Sequence, residues 1–201
     1  MHKKQSFWFR FVRDTEYAQE PPQKHEKLWS FIYDTVGSAA AAAVIIAVVF
    51  TFCLRMVGVE GNSMLPTLSD GDWLAVKSIN SSINAGDVVI ITQPNSMDKP
   101  LVKRVIAKGG DTVDIDFDSH VVTVNGKVLD EPYIAEPTAV SADVQFPLTV
   151  EPGQLFVLGD NRNNSMDSRY SVIGCVDENY ILGVAKYKLY PFGGMAKNTI
   201  H

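Results

Sequence analysis

The chain has 201 residues, a formal net charge of −5 and hydrophobic side chains at 46% of its positions. This length is enough for one domain together with a membrane anchor. The acidic balance argues against nucleic-acid binding, which usually leaves a basic footprint. The two cysteines, Cys53 and Cys175, lie far apart and do not make a disulfide framework.

The first two predicted segments are a polar arm and a membrane span. Residues 1–34 are polar, and Pro21-Pro22 interrupts any long helix there. Residues 35–54 contain no charged side chain, and a helix of this length covers roughly 30 Å, the thickness of the hydrocarbon layer. The pattern predicts a transmembrane helix over residues 35–54.

Two other interpretations of this apolar run are weaker. A helix buried in a soluble core normally shows a polar face, which this run lacks. A cleaved signal peptide is disfavoured by the long arm before the run and by the length of the run itself. Six Lys and Arg precede the run, whereas only Arg55 follows it before Lys77. The positive-inside rule therefore predicts a cytoplasmic N-terminus and places the rest of the chain outside.

Residues 55–201 show the sequence pattern of a β domain. Short runs rich in β-branched residues alternate with Gly and Pro turn signals. The strongest turn signal is Asn125-Gly126, which separates two such runs and predicts a hairpin. Further runs lie at 88–92, 101–107, 155–158 and 180–190. The fold class predicted is mainly β, as an antiparallel barrel or sandwich.

Ser63 is the first residue with a candidate chemical role. It lies in a turn shortly after the predicted span, between Gly61, which permits unusual backbone angles, and Pro66, which fixes the chain. Such a turn can expose the hydroxyl and aim backbone N–H groups at a developing oxyanion. The alternative interpretation is a surface turn that leads into a strand.

Lys103 lies in the apolar run 101–107. Strand alternation places Leu101, Lys103 and Val105 on one face. If that face is buried, desolvation lowers the pKa of the lysine and leaves a neutral amine that can accept the Ser63 proton. A solvated lysine on an exposed strand face is the other interpretation.

The segment 159–169 is dense in polar residues. Its charged side chains can form charge-assisted pairs, and Ser165 could orient a buried amine. A solvated polar loop is the alternative. The charged residues are Asp160, Arg162, Asp167 and Arg169. Other nucleophile systems are poorly represented, because His120 lies in a polar turn and no zinc motif or phosphate-binding glycine loop occurs.

Three segments in this order resemble the type I signal peptidases of bacteria. They are 63–68 with Gly71-Asp72; Gly86-Asp87 and 103–107 with Gly110-Asp111; and 159–162 with Ser165, Asp167, Ser168 and Arg169. The resemblance covers about residues 58 to 190. The single preceding span is similar to the Gram-positive form of the family.

The resemblance implies two coiled antiparallel sheets, with Ser63 as nucleophile and Lys103 as general base. Its implied supporting roles are a hydrogen bond from Ser165 to the lysine, a brace formed by Asp167 and Arg169, and a pair between Asp160 and Arg104. Some relatives carry a hydroxyl residue two positions before the nucleophile. Here that position is Gly61, so the Ser63 N–H becomes the main candidate oxyanion donor.

The resulting hypothesis is a membrane-bound serine endopeptidase that removes signal peptides from secretory preproteins, at sites with small residues at −1 and −3. The domains are an arm (1–34), a span (35–54) and an extracytoplasmic catalytic domain (55–201). The resemblance places the substrate walls at about 57–62 and 99–102. The contacts expected there are Asn62, Met64, Leu101 and Val102. The expected partners are preproteins and membrane lipid, without nucleic acid and without a cofactor.

Two alternatives stay open at this level. One is a self-cleaving Ser–Lys protein that resembles the LexA-type repressors, although the apolar run replaces the DNA-binding domain it would need. The other is a non-catalytic, membrane-anchored β module that binds a partner. Such a module has no reason to gather Ser63, Lys103 and Ser165 around one cleft.

Overall fold

The computed structural model describes residues 24–52, 54–78, 82–92 and 99–191. The first 23 residues of the predicted arm, and Cys53, lie outside the described residues. The chain divides after Val48 into two compact units, which are described separately below.

Helix α1 spans Lys24–Phe52. It therefore starts earlier than the predicted span and stops short of residue 54, since Leu54 opens the first strand. The absence of charge predicted a lipid-facing stretch, whereas a helix can continue through charged residues such as Asp34 and Lys27. Residues Lys27–Val48 have a mean hydropathy of 1.8, none of this stretch is buried, and it is long and apolar enough to cross a membrane.

Three hydroxyl groups of α1, those of Ser30, Thr35 and Ser38, donate hydrogen bonds within the helix. Ser30 Oγ donates a hydrogen bond to the Lys27 carbonyl at 3.0 Å. Thr35 Oγ1 and Ser38 Oγ donate to carbonyls four residues earlier, each at 2.7 Å. Because these hydroxyls need no water, they fit a helix surrounded by hydrocarbon.

The second unit is built from short strands and two 3₁₀ turns. The strands are β1 (Leu54–Gly58), β2 (Trp73–Ser78), β3 (Val88–Ile91), β4 (Leu101–Lys108), β5 (Thr112–Asp116), β6 (Val121–Val124), β7 (Lys127–Val128), β8 (Leu148–Thr149), β9 (Gln154–Leu158), β10 (Val176–Asp177) and β11 (Ile181–Tyr190). The 3₁₀ turns are Arg162–Asn164 and Glu178–Tyr180. The prediction of a mainly β fold is confirmed.

These strands form two antiparallel sheets. The larger has the order β1-β2-β11-β3-β4-β9-β10 and the smaller the order β7-β6-β5-β8. The predicted hairpin joins β6 to β7, with Val124 opposite Lys127. Its turn residues, Asn125 and Gly126, take φ values of 52° and 77°, as a tight hairpin turn requires.

Strand β4 is buried on both faces. Val105 packs into one apolar cluster, Ile106 into a second, and Val102 against a third. Consequently Lys103 and Arg104, which point to opposite faces, are only 2% and 1% exposed. The interpretation of Lys103 as a solvated surface lysine is therefore wrong.

Candidate active site

The turn that carries Ser63 is fixed at its start by Gly61. This glycine has a φ of 86°, which only glycine adopts readily, and its N–H donates to Asp70 Oδ1 at 2.8 Å. Two residues later Ser63 is half-buried, between the exposed Asn62 and the buried Met64. The turn thus holds the hydroxyl at the boundary between solvent and core.

Lys103 contacts Ser63 directly. Its Nζ lies 2.8 Å from Ser63 Oγ, although 40 residues separate the two in sequence. Burial lowers the pKa of Lys103 from 10.5 to about 8. The charges of Asp167 and Asp160 raise this pKa and that of Arg169 lowers it, but the loss of hydration is the largest effect. A lysine with this pKa is partly neutral at working pH and can accept a proton.

A buried ion pair joins the strand of the lysine to the loop at 159–169. Arg104 donates from Nε and Nη2 to the two carboxylate oxygens of Asp160, at 2.8 and 2.6 Å. Thr67, four residues after Ser63, donates to the same carboxylate at 2.5 Å. The Tyr133 ring lies 4.0 Å from the Arg104 guanidinium carbon. One carboxylate therefore connects the turn that carries Ser63 to the residue beside Lys103.

A second buried pair supports the same loop from within. Arg169 Nε lies 2.8 Å from Asp167 Oδ1, and both side chains are at most 1% exposed. Asp167 Oδ2 also accepts the Gly159 N–H at 3.0 Å. Arg169 donates further to the carbonyls of Arg162 and Val140. The interpretation of 159–169 as a solvated loop is wrong, because these groups are buried and bonded.

Ser165 departs from the expected arrangement. Its side chain is buried, but among the described residues no group forms a hydrogen bond with its Oγ. The expected bond to Lys103 is therefore not formed, since the lysine amine is directed to Ser63. A Cβ added at Gly159 would lie 2.2 Å from Ser165 Oγ and 2.5 Å from the Ser63 carbonyl oxygen. Ser165 thus packs against the glycine that also borders Ser63.

Sequence reasoning missed the segment that covers this loop. Arg162 is held by Glu131, with Nη2 2.5 Å from Oε1, and by the Thr138 hydroxyl at 2.9 Å. Asn163 Oδ1 accepts the N–H groups of residues 139 and 140. The segment between β7 and β8 has no sequence pattern of its own. The one signal in the sequence is Arg162, for which the sequence analysis named no particular acidic partner.

An open cleft of about 590 Å³ includes Ser63 and Lys103 among its lining residues. Residues 57–61 form one wall and residues 99–102 the other. Met64, Leu101 and Val102 line the cleft as predicted, whereas Asn62 is not among its lining residues. Its outer end is bridged by an exposed ion pair between Glu60 and Lys99, at 3.4 Å.

Comparisons with known proteins identify the class of this β domain as a peptidase. The model of the family described as "Signal peptidase, peptidase S26" matches residues 32–190. Signal peptidase I of Bacillus amyloliquefaciens is 40% identical over 90% of this chain and 97% of its own length. Signal peptidase I T of Bacillus subtilis is 38% identical over the same shares. The chain therefore belongs to the signal peptidase family, peptidase S26.

Among solved structures, the chain matches a crystal structure of a signal peptidase I from Enterococcus faecalis, whose sequence is 30% identical to this chain. The match covers 52% of this chain and 97% of that one, with a TM-score of 0.44. The family membership, which rests on the sequence comparisons, confirms the resemblance stated above. It leaves the self-cleaving repressor and the non-catalytic module without support.

The close approach at Gly159 predicts a selective effect of a single methyl group. Gly159→Ala should lower kcat at least about 100-fold, because the new Cβ forces Ser165 and the Ser63 carbonyl apart. Gly109→Ala is the matched control, because its Cβ would lie 2.8 Å from the backbone of residues 151 and 152, within another loop. Both should lower the melting temperature. Equal kcat values for the two variants would contradict the interpretation.

The pKa of Lys103 predicts the pH dependence of cleavage. Below about pH 8 the amine is increasingly protonated and cannot accept a proton, so kcat/KM should rise with pH and level off above the pKa. The measurement is cleavage of a peptide without groups that titrate in this range. His120→Ala, which removes an exposed imidazole from the turn between β5 and β6, should leave the profile unchanged. A profile that is flat around pH 8 would show that Lys103 is not the base.

Proposed function

We propose that this chain removes signal peptides from secretory preproteins by a Ser63–Lys103 dyad. The observation that carries the proposal is the 2.8 Å contact between Lys103 Nζ and Ser63 Oγ in an open cleft. The lysine is 2% exposed and its pKa is lowered to about 8, as a general base requires. Membership of the signal peptidase family supplies the substrate class.

The proposed reaction proceeds by acyl transfer. Neutral Lys103 removes the proton of Ser63 while Oγ attacks the scissile carbonyl carbon, which gives a tetrahedral oxyanion. As the carbon–nitrogen bond breaks, protonated Lys103 gives its proton to the departing amine, and the acyl group remains on Ser63. Lys103 then activates a water molecule, which releases the signal peptide as a carboxylic acid and restores the serine.

The cleft suits an extended peptide. Among the described strands, β1 pairs only with β2, so no described strand occupies its outer edge. In β4, pairing with β9 begins only at Arg104, so none of the described strands pairs with the β9 side of residues 101–103. A substrate strand can add to such edges, with alternate side chains directed into the cleft. Val59, Leu101 and Val102 give it apolar walls, which suit small residues at positions −1 and −3.

The apolar helix supports a membrane location. We propose that Lys27–Val48 crosses the membrane once, with the N-terminus in the cytoplasm and the β domain outside. The excess of Lys and Arg before residue 35 supports this orientation. Only eight residues lie between Leu54 and Ser63, and so short a connection favours a site near the lipid surface.

Two substitutions test the proposed dyad on a preprotein with an Ala-x-Ala site. Ser63→Ala removes the nucleophile, and Lys103→Arg replaces the base with a group that stays protonated. Each should lower kcat at least about 10³-fold, since the two residues act as a unit.

The controls are the same two kinds of substitution, Ser→Ala and Lys→Arg, at residues near the proposed dyad. Ser69→Ala alters a hydroxyl of the same loop, and Lys108→Arg alters a lysine of the same strand whose amine donates to the Ile83 carbonyl. Both controls should cleave at near the wild-type rate. Near-normal cleavage by the Lys103→Arg enzyme would eliminate the general-base assignment, and with it the dyad.

The orientation is tested by proteolysis of intact cells. Protease added outside should digest the β domain and spare a tag placed at the N-terminus, because only the domain after the helix is exposed. Lysed cells, in which the tag is also digested, serve as the control. Loss of the tag in intact cells would reverse the proposed topology.

A further inference from the structure

Asn161 donates hydrogen bonds to two successive carbonyl groups of the turn that carries Ser63. Its backbone N–H donates to the Ser63 carbonyl at 3.0 Å. Its side-chain Nδ2 donates to the Asn62 carbonyl, also at 3.0 Å. Since 99 residues separate Asn161 from Asn62, these two bonds fix the turn from a distant segment of the chain.

The hydrogen bond to the Asn62 carbonyl determines the direction of the Ser63 N–H. The two groups belong to one peptide plane, in which C=O and N–H point in opposite directions when the bond is trans. This peptide is not among the cis bonds of the chain. The Asn62 carbonyl also accepts the Leu65 N–H at 3.2 Å, so it is held from two sides. The Ser63 N–H must therefore point away from Asn161.

The Ser63 N–H is available for a substrate. Within the described parts of the chain, no group accepts a hydrogen bond from it. Gly61 offers no hydroxyl as a second donor. Hydrogen bonds weaken steeply as their angle departs from linearity, so an oxyanion that depends on few donors is sensitive to the direction of each.

We propose that Asn161 is a positioning residue that aims the Ser63 N–H at the oxyanion through its bond to the Asn62 carbonyl. The inference rests on the proposed function, because an oxyanion forms only if Ser63 is the nucleophile. Asn161 itself does not touch the reacting atoms. Removing its side chain leaves the donor in place but frees the peptide plane that carries it.

Asn163 provides a matched comparison. It is the same residue type in the same loop, but its side chain bonds residues 136, 137, 139 and 140 instead of the nucleophile turn. Asn163→Ala therefore removes four side-chain hydrogen bonds, against one in Asn161→Ala, without freeing the Asn62–Ser63 peptide. A general loosening of the loop would affect both variants alike.

The experiment compares Asn161→Ala, Asn161→Asp and Asn163→Ala in the full chain, on the same preprotein. Asn161→Ala should lower kcat about 10- to 100-fold, less than the loss of a whole oxyanion donor, with little change in KM. Asn161→Asp has the same shape but presents an oxygen to the Asn62 carbonyl, so it should be at least as impaired. Asn163→Ala should keep its kcat within about twofold.

A peptide aldehyde separates positioning from binding. Ser63 adds to the aldehyde carbon and produces the tetrahedral oxygen that the Ser63 N–H should hold. Asn161→Ala should weaken the inhibition constant of the aldehyde by the factor lost from kcat/KM. The affinity of the Asn161→Ala enzyme for a peptide with a methylene in place of the scissile carbonyl should be unchanged. The pH limb assigned to Lys103 should also stay in place.

Three results would overturn the proposal. They are a normal kcat in Asn161→Ala, recovery of kcat in Asn161→Asp, and an equal loss in Asn163→Ala. A wild-type chain that fails to cleave, or a Ser63→Ala chain that still cleaves, would instead refute the proposed function. The Asn161 variants are compared with a wild type whose dyad has been tested, so the two failures are distinguishable.

Discussion

Burial of the Lys103 amine is the interaction on which the active site depends. The folded chain holds this amine at a pKa of about 8, against 10.5 for an ordinary lysine. One pKa unit corresponds to about 1.4 kcal/mol, so the protonated form costs the fold about 3 kcal/mol at neutral pH. Because the folded pKa is the lower one, this cost is fully present below about pH 8. It disappears as the pH rises through the two pKa values.

The neighbouring charges are arranged so that they do not cancel this effect. Asp160 and Asp167 raise the lysine pKa, and an unpaired buried carboxylate would restore the charged amine. Each aspartate is instead matched to a buried arginine, Arg104 or Arg169. Arg169 lowers the pKa of Lys103 and so offsets part of the effect of the aspartates, and desolvation remains the largest cause. Replacing either pair by apolar side chains could preserve stability, but it would change the field at the amine.

The sequence predicted the fold class, the hairpin at Asn125-Gly126 and walls at about 57–62 and 99–102, and residues 57–61 and 99–102 do line the cleft. These features depend on local pattern and on a resemblance with ordered motifs. It did not predict that β4 is buried on both faces, since alternation shows which side chains share a face but not what covers it. The free Ser165 hydroxyl and the close approach at Gly159 could not be predicted either. They depend on how closely Gly159 approaches Ser165 and Ser63, and a sequence pattern does not encode such distances.

Asn161 shows where such reasoning reached its limit. The residue was included in the motif at 159–169, but its type alone assigns no role, since an asparagine in a loop usually caps or turns the chain. Its position follows from its neighbours: Asp160 is fixed by Arg104, and Arg162 by Glu131. With both flanking side chains anchored in the interior, the backbone between them has little freedom. The bonds from Asn161 to the nucleophile turn therefore inherit their precision from two ion pairs that never touch a substrate.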